Sequence, residues 1–257
     1  MRCCRLFCPT LSEGSLLLSP EESHHATVSL RVKPGQKVVL FDGRGLEAVG
    51  RIAGIEHRLL RVDVMRPALR PFELGSKITL AVAMPRQHRQ GYLIEKCTEL
   101  GVAAIWPIIA GRSVYKPAAQ SKRGVQVEKW SRRAIEAAKQ SGRAWVPEIA
   151  APKTFVQSVD RLNEFDASSL THTDSKLTPF GTFLAAQPVG GSVLVWVGPE
   201  GGWTDEERRR ALEAGAVSTT LGPTALRTET AAVAVCAAAA LQSTCGTSTP
   251  KPGKVFH

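Results

Sequence analysis

Residues 193–205 read VLVWVGPEGGWTD. Five apolar residues run into Gly198-Pro199-Glu200-Gly201-Gly202, and the polar stretch TDEE follows. Thr204 and Glu207 have capping-box spacing, a hydroxyl at the N-cap and a carboxylate at N3. The chain therefore passes from a buried strand through a glycine loop into a helix. In open α/β sheets, the loop at the carboxyl end of a parallel strand is where ligands bind. Gly201 and Gly202 let the backbone turn tightly or touch a ligand. Glu200 argues against a plain phosphate cradle, and neither GxGxxG nor GxxxxGKS occurs in the chain. A strained turn with purely structural glycines accounts for the loop equally well.

A second loop, LGPTALRTET at 221–230, stands in the same relation to its surroundings. VSTTLG before it reads as a strand, and TETAAVAVCAAAALQ (228–242) after it reads as a helix. Two such loops in one sheet could face each other across a crevice. Arg227 and Glu229 stand near the start of that helix, where its dipole disfavours an arginine. Arg227 is then a ligand or RNA contact, or half of a salt bridge. The helix itself is almost entirely small and apolar, which places it in a core or an interface.

Working back toward the amino terminus, 77–84 and 102–109 read as strands, with helices at 85–101 and 125–142. A third helix is expected at 154–163 and a weak strand at 168–174. Strands alternating with helices imply an α/β unit with a mainly parallel sheet, Rossmann-like by periodicity alone. The first 70 residues differ: short apolar runs and turns, Asp42-Gly43 among them, suggest a small barrel or sandwich. Residues 19–32 read as a short helix or turn followed by a strand. In that strand His24 and His25 would face opposite ways, which disfavours a shared metal. PALRPFELG (67–75) breaks both periodicities and marks a domain crossing. The organisation is thus 1–70, 75–242 and a disordered tail at 243–257.

The charge is uneven. Of the net +10, residues 75–145 hold 13 Lys/Arg against 4 Asp/Glu, while 146–257 hold 9 against 11. Such a field attracts polyanions, although a basic surface also serves solubility alone. No apolar run is long enough to span a membrane, and the start MRCCRLFCPTLSE lacks the apolar core of a secretion signal. Six cysteines, at 3, 4, 8, 97, 236 and 245, have no zinc-site spacing and fit buried free thiols in a reducing, cytoplasmic setting. The absence of HExxH and of GxSxG disfavours a metalloprotease or a serine hydrolase.

The order LIEKCTELGVAAIWPII (93–109), GRSV (111–114), EKWSRRAIEAAKQSGR (128–143), VWVGPEGGWTDEE (195–207) and LGPTALRTETA (221–231) resembles the bacterial 16S ribosomal RNA uridine-N3 methyltransferases of the SPOUT superfamily. The resemblance covers roughly residues 1–242. It implies a PUA-like β-barrel for RNA docking and a trefoil-knotted α/β methyltransferase domain. It also implies a homodimer without metal or membrane partner, S-adenosylmethionine as cofactor, and the small ribosomal subunit as substrate. Position by position, Gly198, Pro199, Glu200, Gly201, Gly202, Leu221, Gly222, Leu226 and Arg227 become cofactor-pocket residues. Arg227, Glu229 and Glu200 become the candidates nearest the chemistry. His25, Arg31, Arg112, Lys116, Lys122, Arg123, Arg132, Arg133, Gln140 and Arg143 become the RNA contacts. HHATVSLRV (24–32) and FDGRG (41–45) resemble the barrel signature. Ala225 stands where the family often has isoleucine, and the loop around 168–176 is a weak match. Another SPOUT activity, such as ribose 2′-O methylation, or a non-catalytic RNA-binding module, is the alternative reading.

Overall fold

A computed structural model of the chain describes residues 4–115 and 120–245, with side chains over 4–115 and 123–243. The described residues fall into two units, one of 4–72 with 135–146, the other of 73–115 with 120–134 and 147–245. The remaining tail and Cys3 lie outside the described residues.

In the first unit, β1 (Cys4–Phe7), β2 (Gly14–Leu17), β3 (Lys37–Phe41), β4 (Leu46–Glu56), β5 (Leu59–Val64) and β6 (Ala68–Leu69) form one sheet. Its order is β1-β3-β4-β5-β2, with β6 beside β4. Only the β1–β3 pairing is parallel. Alternation decides which face is buried: Leu60, Val62 and Val64 point inward, and Arg61 and Asp63 are exposed. Leu6, Leu18, Val38, Leu40 and Ile52 complete this core. The β3–β4 turn is held by Asp42, whose Oδ1 accepts from the N–H groups of Arg44 (2.7 Å) and Leu46 (3.0 Å).

HHATVSLRV is not a strand. Helix α1 (Pro20–His24) is capped by Ser19 and runs on into a π-helical turn, His25–Ser29. Ser19-Pro20-Glu21-Glu22 is a strong helix start: a hydroxyl N-cap, proline at N1 and acids in the first turn. The alternating-face reading of His24 and His25 therefore fails. Glu22 points inward, accepts from the Phe7 N–H at Oε1 (3.2 Å), and pairs with Lys139 Nζ at 2.7 Å. Both charged side chains are under one-tenth exposed. Breaking a pair so buried typically costs about 3–5 kcal/mol, because one charge is stranded.

The second unit contains β7 (Lys77–Ala83), α2 (Gln87–Glu99), β8 (Ala104–Ile109), α3 (Gln120–Ser141, its last turns belonging to the first unit), β9 (Glu148–Ile149), β10 (Lys153–Thr154) and α4 (Phe155–Val159). It continues with β11 (Ala167–His172), β12 (Thr178–Pro179), α5 (Phe180–Ala185), β13 (Ser192–Val197), α6 (Asp205–Glu213), β14 (Val217–Thr220) and α7 (Thr228–Cys245). Every pairing in its sheet is parallel, in the order β10-β8-β7-β13-β11-β14-β12, with β9 beside β8. β7 and β13 are buried along almost their whole length, as strands covered on both faces should be. Trp196, Leu194, Ala81, Ile108 and Phe155 lie at the centre of one core cluster.

Four expectations shift. α3 begins five residues before 125, and α7 extends three residues past 242 to Cys245. The helix expected at 154–163 is α4 plus a separate 3₁₀ turn, Leu162–Glu164. The weakly marked strand at 168–174 is an inner strand, β11, between β13 and β14. Two of its polar side chains are satisfied inside the sheet: Ser169 Oγ lies 2.7 Å from Thr219 Oγ1, and Thr171 Oγ1 donates to Trp196 O at 2.9 Å, while the buried Ser168 hydroxyl has no partner among the described residues. α7 buries one stripe, Ala231, Ala232, Val235, Cys236 and Ala239, and leaves its other side half-exposed. No helix among the described residues is long and apolar enough to cross a membrane.

Candidate active site

β13, β11 and β14 are neighbours, so the loops leaving their carboxyl ends converge. Between them lies a cleft of about 560 Å³, open mouth included. Its walls come from β11 and its end (Thr171, His172, Thr173), the GPEGG segment (Gly198, Pro199, Gly202, Trp203), and the second loop with the start of α7 (Leu221, Gly222, Thr224, Leu226, Thr228, Ala231).

The glycines divide by task. Gly198 packs under Trp203, where an added Cβ would come within 3.0 Å of the indole, and Gly201 packs on Arg112, where the gap would be 3.1 Å. These two are structural. Gly202 (φ +69°) and Gly222 (φ +130°) both face open space and both hold left-handed backbone. These two leave the main chain uncovered. The structural reading of GPEGG thus applies to Gly198 and Gly201, and packing does not account for Gly202.

Several bonds fix the walls. Trp203 is buried, its Nε1–H donates to Thr171 O at 2.9 Å, and its ring centroid lies 5.1 Å from that of Phe155. Thr228 Oγ1 donates to Gly198 O at 3.0 Å, tying the start of α7 to the glycine loop. Thr204 and Glu207 form the expected capping box, and Glu207 Oε1 also accepts from the Gly111 N–H at 2.7 Å. Arg112 Nη1 donates to Gly201 O and Trp203 O, 3.2 Å each.

At the rim, Arg227 is exposed between the lining residues Leu226 and Thr228, and its guanidinium has no hydrogen-bond or ion-pair partner among the described residues. Glu229 is buried, 3.1 Å from Arg89 of α2, and its Oε2 has no hydrogen-bond partner among the described residues. Glu200 is exposed. Among the described residues, no group of three His, Cys, Asp or Glu is placed to hold a metal ion.

Two family models match. One, described as an RNA methyltransferase domain, covers residues 72–240; the other, an RNA methyltransferase PUA domain, covers 18–65. Ribosomal RNA small subunit methyltransferase E of Bacillus subtilis is 33% identical over 221 residues, 83% of this chain and 85% of that protein. The chain belongs to the ribosomal RNA small subunit methyltransferase E family. The Mycobacterium bovis protein of that name is 34% identical over 222 residues, covering 82% of this chain and 80% of its own. The crystal structure of the methyltransferase E from Neisseria gonorrhoeae, bound to S-adenosylmethionine, superposes with a TM-score of 0.81 at 30% identity, over 92% of this chain and 96% of that one.

Six of the nine residues assigned to the cofactor pocket by resemblance line the cleft: Gly198, Pro199, Gly202, Leu221, Gly222 and Leu226. Glu200, Gly201 and Arg227 stand beside it. Sequence reasoning passed over Thr171, His172 and Thr173, because β11 carries serine and threonine where a core strand usually carries valine.

The RNA candidates are scattered in environment. Arg31 is exposed, and His25 and Gln140 border one groove in the first unit. Arg132 pairs with Glu128 at 2.6 Å and Arg133 with Glu95 at 2.5 Å, so α3 presents less net charge than its arginines suggest. Arg123 is half-buried. Arg143 is buried, its guanidinium 5.9 Å from the Phe72 ring centroid, and its carbonyl accepts from Arg5. Lys116 and the Lys122 side chain lie outside the described residues.

Arg112 fastens the glycine loop in place of offering a free charge. Arg112→Ala is therefore expected to weaken S-adenosylmethionine binding by roughly three- to tenfold, the range for exposed bonds from a charged donor. Calorimetric titration checks this. Unchanged cofactor affinity together with a weaker salt dependence of RNA binding would return Arg112 to the RNA surface.

Proposed function

We propose that this chain transfers a methyl group from S-adenosylmethionine to N3 of one uridine in 16S ribosomal RNA of the small subunit, working in the cytoplasm as a homodimer. The observation that carries this reading is Arg227, without an ion-pair partner among the described residues, at the mouth of a glycine-edged cleft. Family membership and the cofactor-bound Neisseria structure support the cofactor. The cleft fits it: Gly202 and Gly222 leave main chain uncovered, and Val197, Leu221, Leu226 and Ala231 supply apolar wall for an adenosyl group. The insertion of β13 between β7 and β11 supports the knotted threading of the SPOUT fold. The half-exposed small-residue side of α7, with Tyr92 and Leu241 exposed, supports a dimer.

When bound, S-adenosylmethionine supplies an electrophilic methyl on a sulfonium. The chain must then do three things: bring uridine N3 in line, take its proton, and stabilise the charge left on the base. Arg227 is placed for the last. A guanidinium beside a uracil carbonyl oxygen stabilises the developing uridinate, most strongly where water is excluded. Of the two carboxylates, Glu229 is held by Arg89, so it positions the start of α7. Glu200, exposed at the lip, is the one free to accept the N3 proton. Orientation supplies much of the remaining rate. The target base leaves its stack to reach the cleft.

The test is incubation with labelled S-adenosylmethionine and small subunits from cells lacking the modification. Label is expected in 16S RNA of the assembled subunit. Label confined to another RNA would replace the substrate, and an absence of both label and cofactor binding would remove the enzyme reading.

A further inference from the structure

The cleft's polar side chains are mostly committed. Thr171 Oγ1 is bonded to Trp196 O, the Trp203 indole N–H to Thr171 O, and Thr228 Oγ1 to Gly198 O. Three side chains remain: the hydroxyls of Thr173 and Thr224, both exposed, and the imidazole of His172, half-buried. Of these, His172 alone is held in a defined orientation. It ends β11, in register with Thr220 of β14, so it stands where the loops after β13 and β14 meet. Its Nδ1 accepts from the Asp174 N–H at 3.1 Å.

That bond decides the tautomer. A neutral imidazole that accepts at Nδ1 carries its proton on Nε2. Among the described residues this Nε2–H has no acceptor. The ring is also kept neutral. Burial pushes its pKa down, the positive charge of Arg208 adds to that, and Asp174 only partly opposes them. Neutrality matters beside a sulfonium, because an imidazolium would repel it. The cleft therefore offers one oriented, uncharged donor with no partner among the described residues.

We propose that His172 contacts the bound cofactor, donating its Nε2–H to an acceptor oxygen or ring nitrogen of S-adenosylmethionine. The inference rests on the reading of this cleft as the cofactor site. His172 is then a binding residue rather than a base: its only unprotonated nitrogen is taken by the Asp174 backbone, so it cannot collect the uridine proton without breaking that bond.

The full-length chain serves for the test, with wild type, His172→Ala and His172→Gln titrated calorimetrically with S-adenosylmethionine. His172→Ala is expected to bind roughly three- to tenfold more weakly, the range for one net hydrogen bond. Gln presents an N–H at a similar reach and is expected to stay within about threefold of wild type. Thermal unfolding without cofactor reports any loss of fold separately. In the ¹⁵N-histidine spectrum, the His172 signal is assigned by its loss in the Ala variant. It should show the Nε2–H tautomer and move on cofactor addition, which a merely structural role would not produce. His172→Ala binding as tightly as wild type, or an Nε2 signal unmoved at saturation, would overturn the assignment. Failure of the wild-type chain itself to bind S-adenosylmethionine would overturn the cofactor reading first, and the two failures are distinguishable.

Discussion

Arg227→Ala is expected to slow methyl transfer about 100-fold or more, while cofactor affinity stays within about threefold and the melting temperature barely moves. The expectation follows from where the side chain is and what it lacks. Arg227 is exposed, so truncation opens no cavity. It stands at the start of α7, where the helix dipole opposes a cation, so its presence does not serve the helix. It has no ion-pair partner among the described residues, unlike Arg89, Arg132 or Arg133. A charge kept unpaired beside a cleft at a local electrostatic cost is best explained by a charge that develops there during reaction. Arg227→Lys should recover only part of the loss, since an ammonium cannot present the same planar fork. Single-turnover rates at saturating cofactor make the measurement. A defect seen entirely in cofactor affinity, with the rate preserved at saturation, would make Arg227 a binding residue.

Trp203→Ala should be the most destabilising change near the cleft, by about 3–5 kcal/mol. The ring is 5% exposed, packs against Phe155, and fills the space over Gly198. Its loss also strands the Thr171 carbonyl in a buried position. The Gly198 and Thr171 walls would then both slacken, so cofactor binding should fail together with stability. Trp203→Phe separates the contributions. It keeps an aromatic ring and removes the N–H, and should cost only about 1–3 kcal/mol, the penalty of one unsatisfied buried acceptor. Chemical denaturation of both variants checks this. Near-equal stability of Trp203→Ala and wild type would show that the loop does not depend on its packing.

Much of this architecture could be read from residue order, for identifiable reasons. SVLVWVG and KITLAVAM are apolar runs bounded by breakers, and both are inner strands. Thr204 and Glu207 announced a helix start, and both halves of the capping box are made. β11 was nearly invisible because it is rich in serine and threonine, and the partners of Ser169 and Thr171, the Thr219 hydroxyl and the Trp196 carbonyl, lie on neighbouring strands. His172 was hidden with it. Arg112 and Arg143 looked like surface charge because composition counts a guanidinium the same way wherever it points. One is spent on loop carbonyls and the other is buried. After Ser19 the expected short helix forms, but the strand expected to follow it does not, because the helix runs on into a π-helical turn through Ser29.

The position of the methyl group is read from the identity of the modified nucleoside. Small subunits lacking the modification would be treated with the purified chain and S-adenosylmethionine. Their 16S RNA would then be digested and the nucleosides resolved by mass spectrometry against synthetic standards. A single new species, N3-methyluridine, is expected, forming about 100-fold more slowly when Arg227→Ala replaces wild type. A 2′-O-methylated nucleoside, or a methylated base other than uridine, would contradict it.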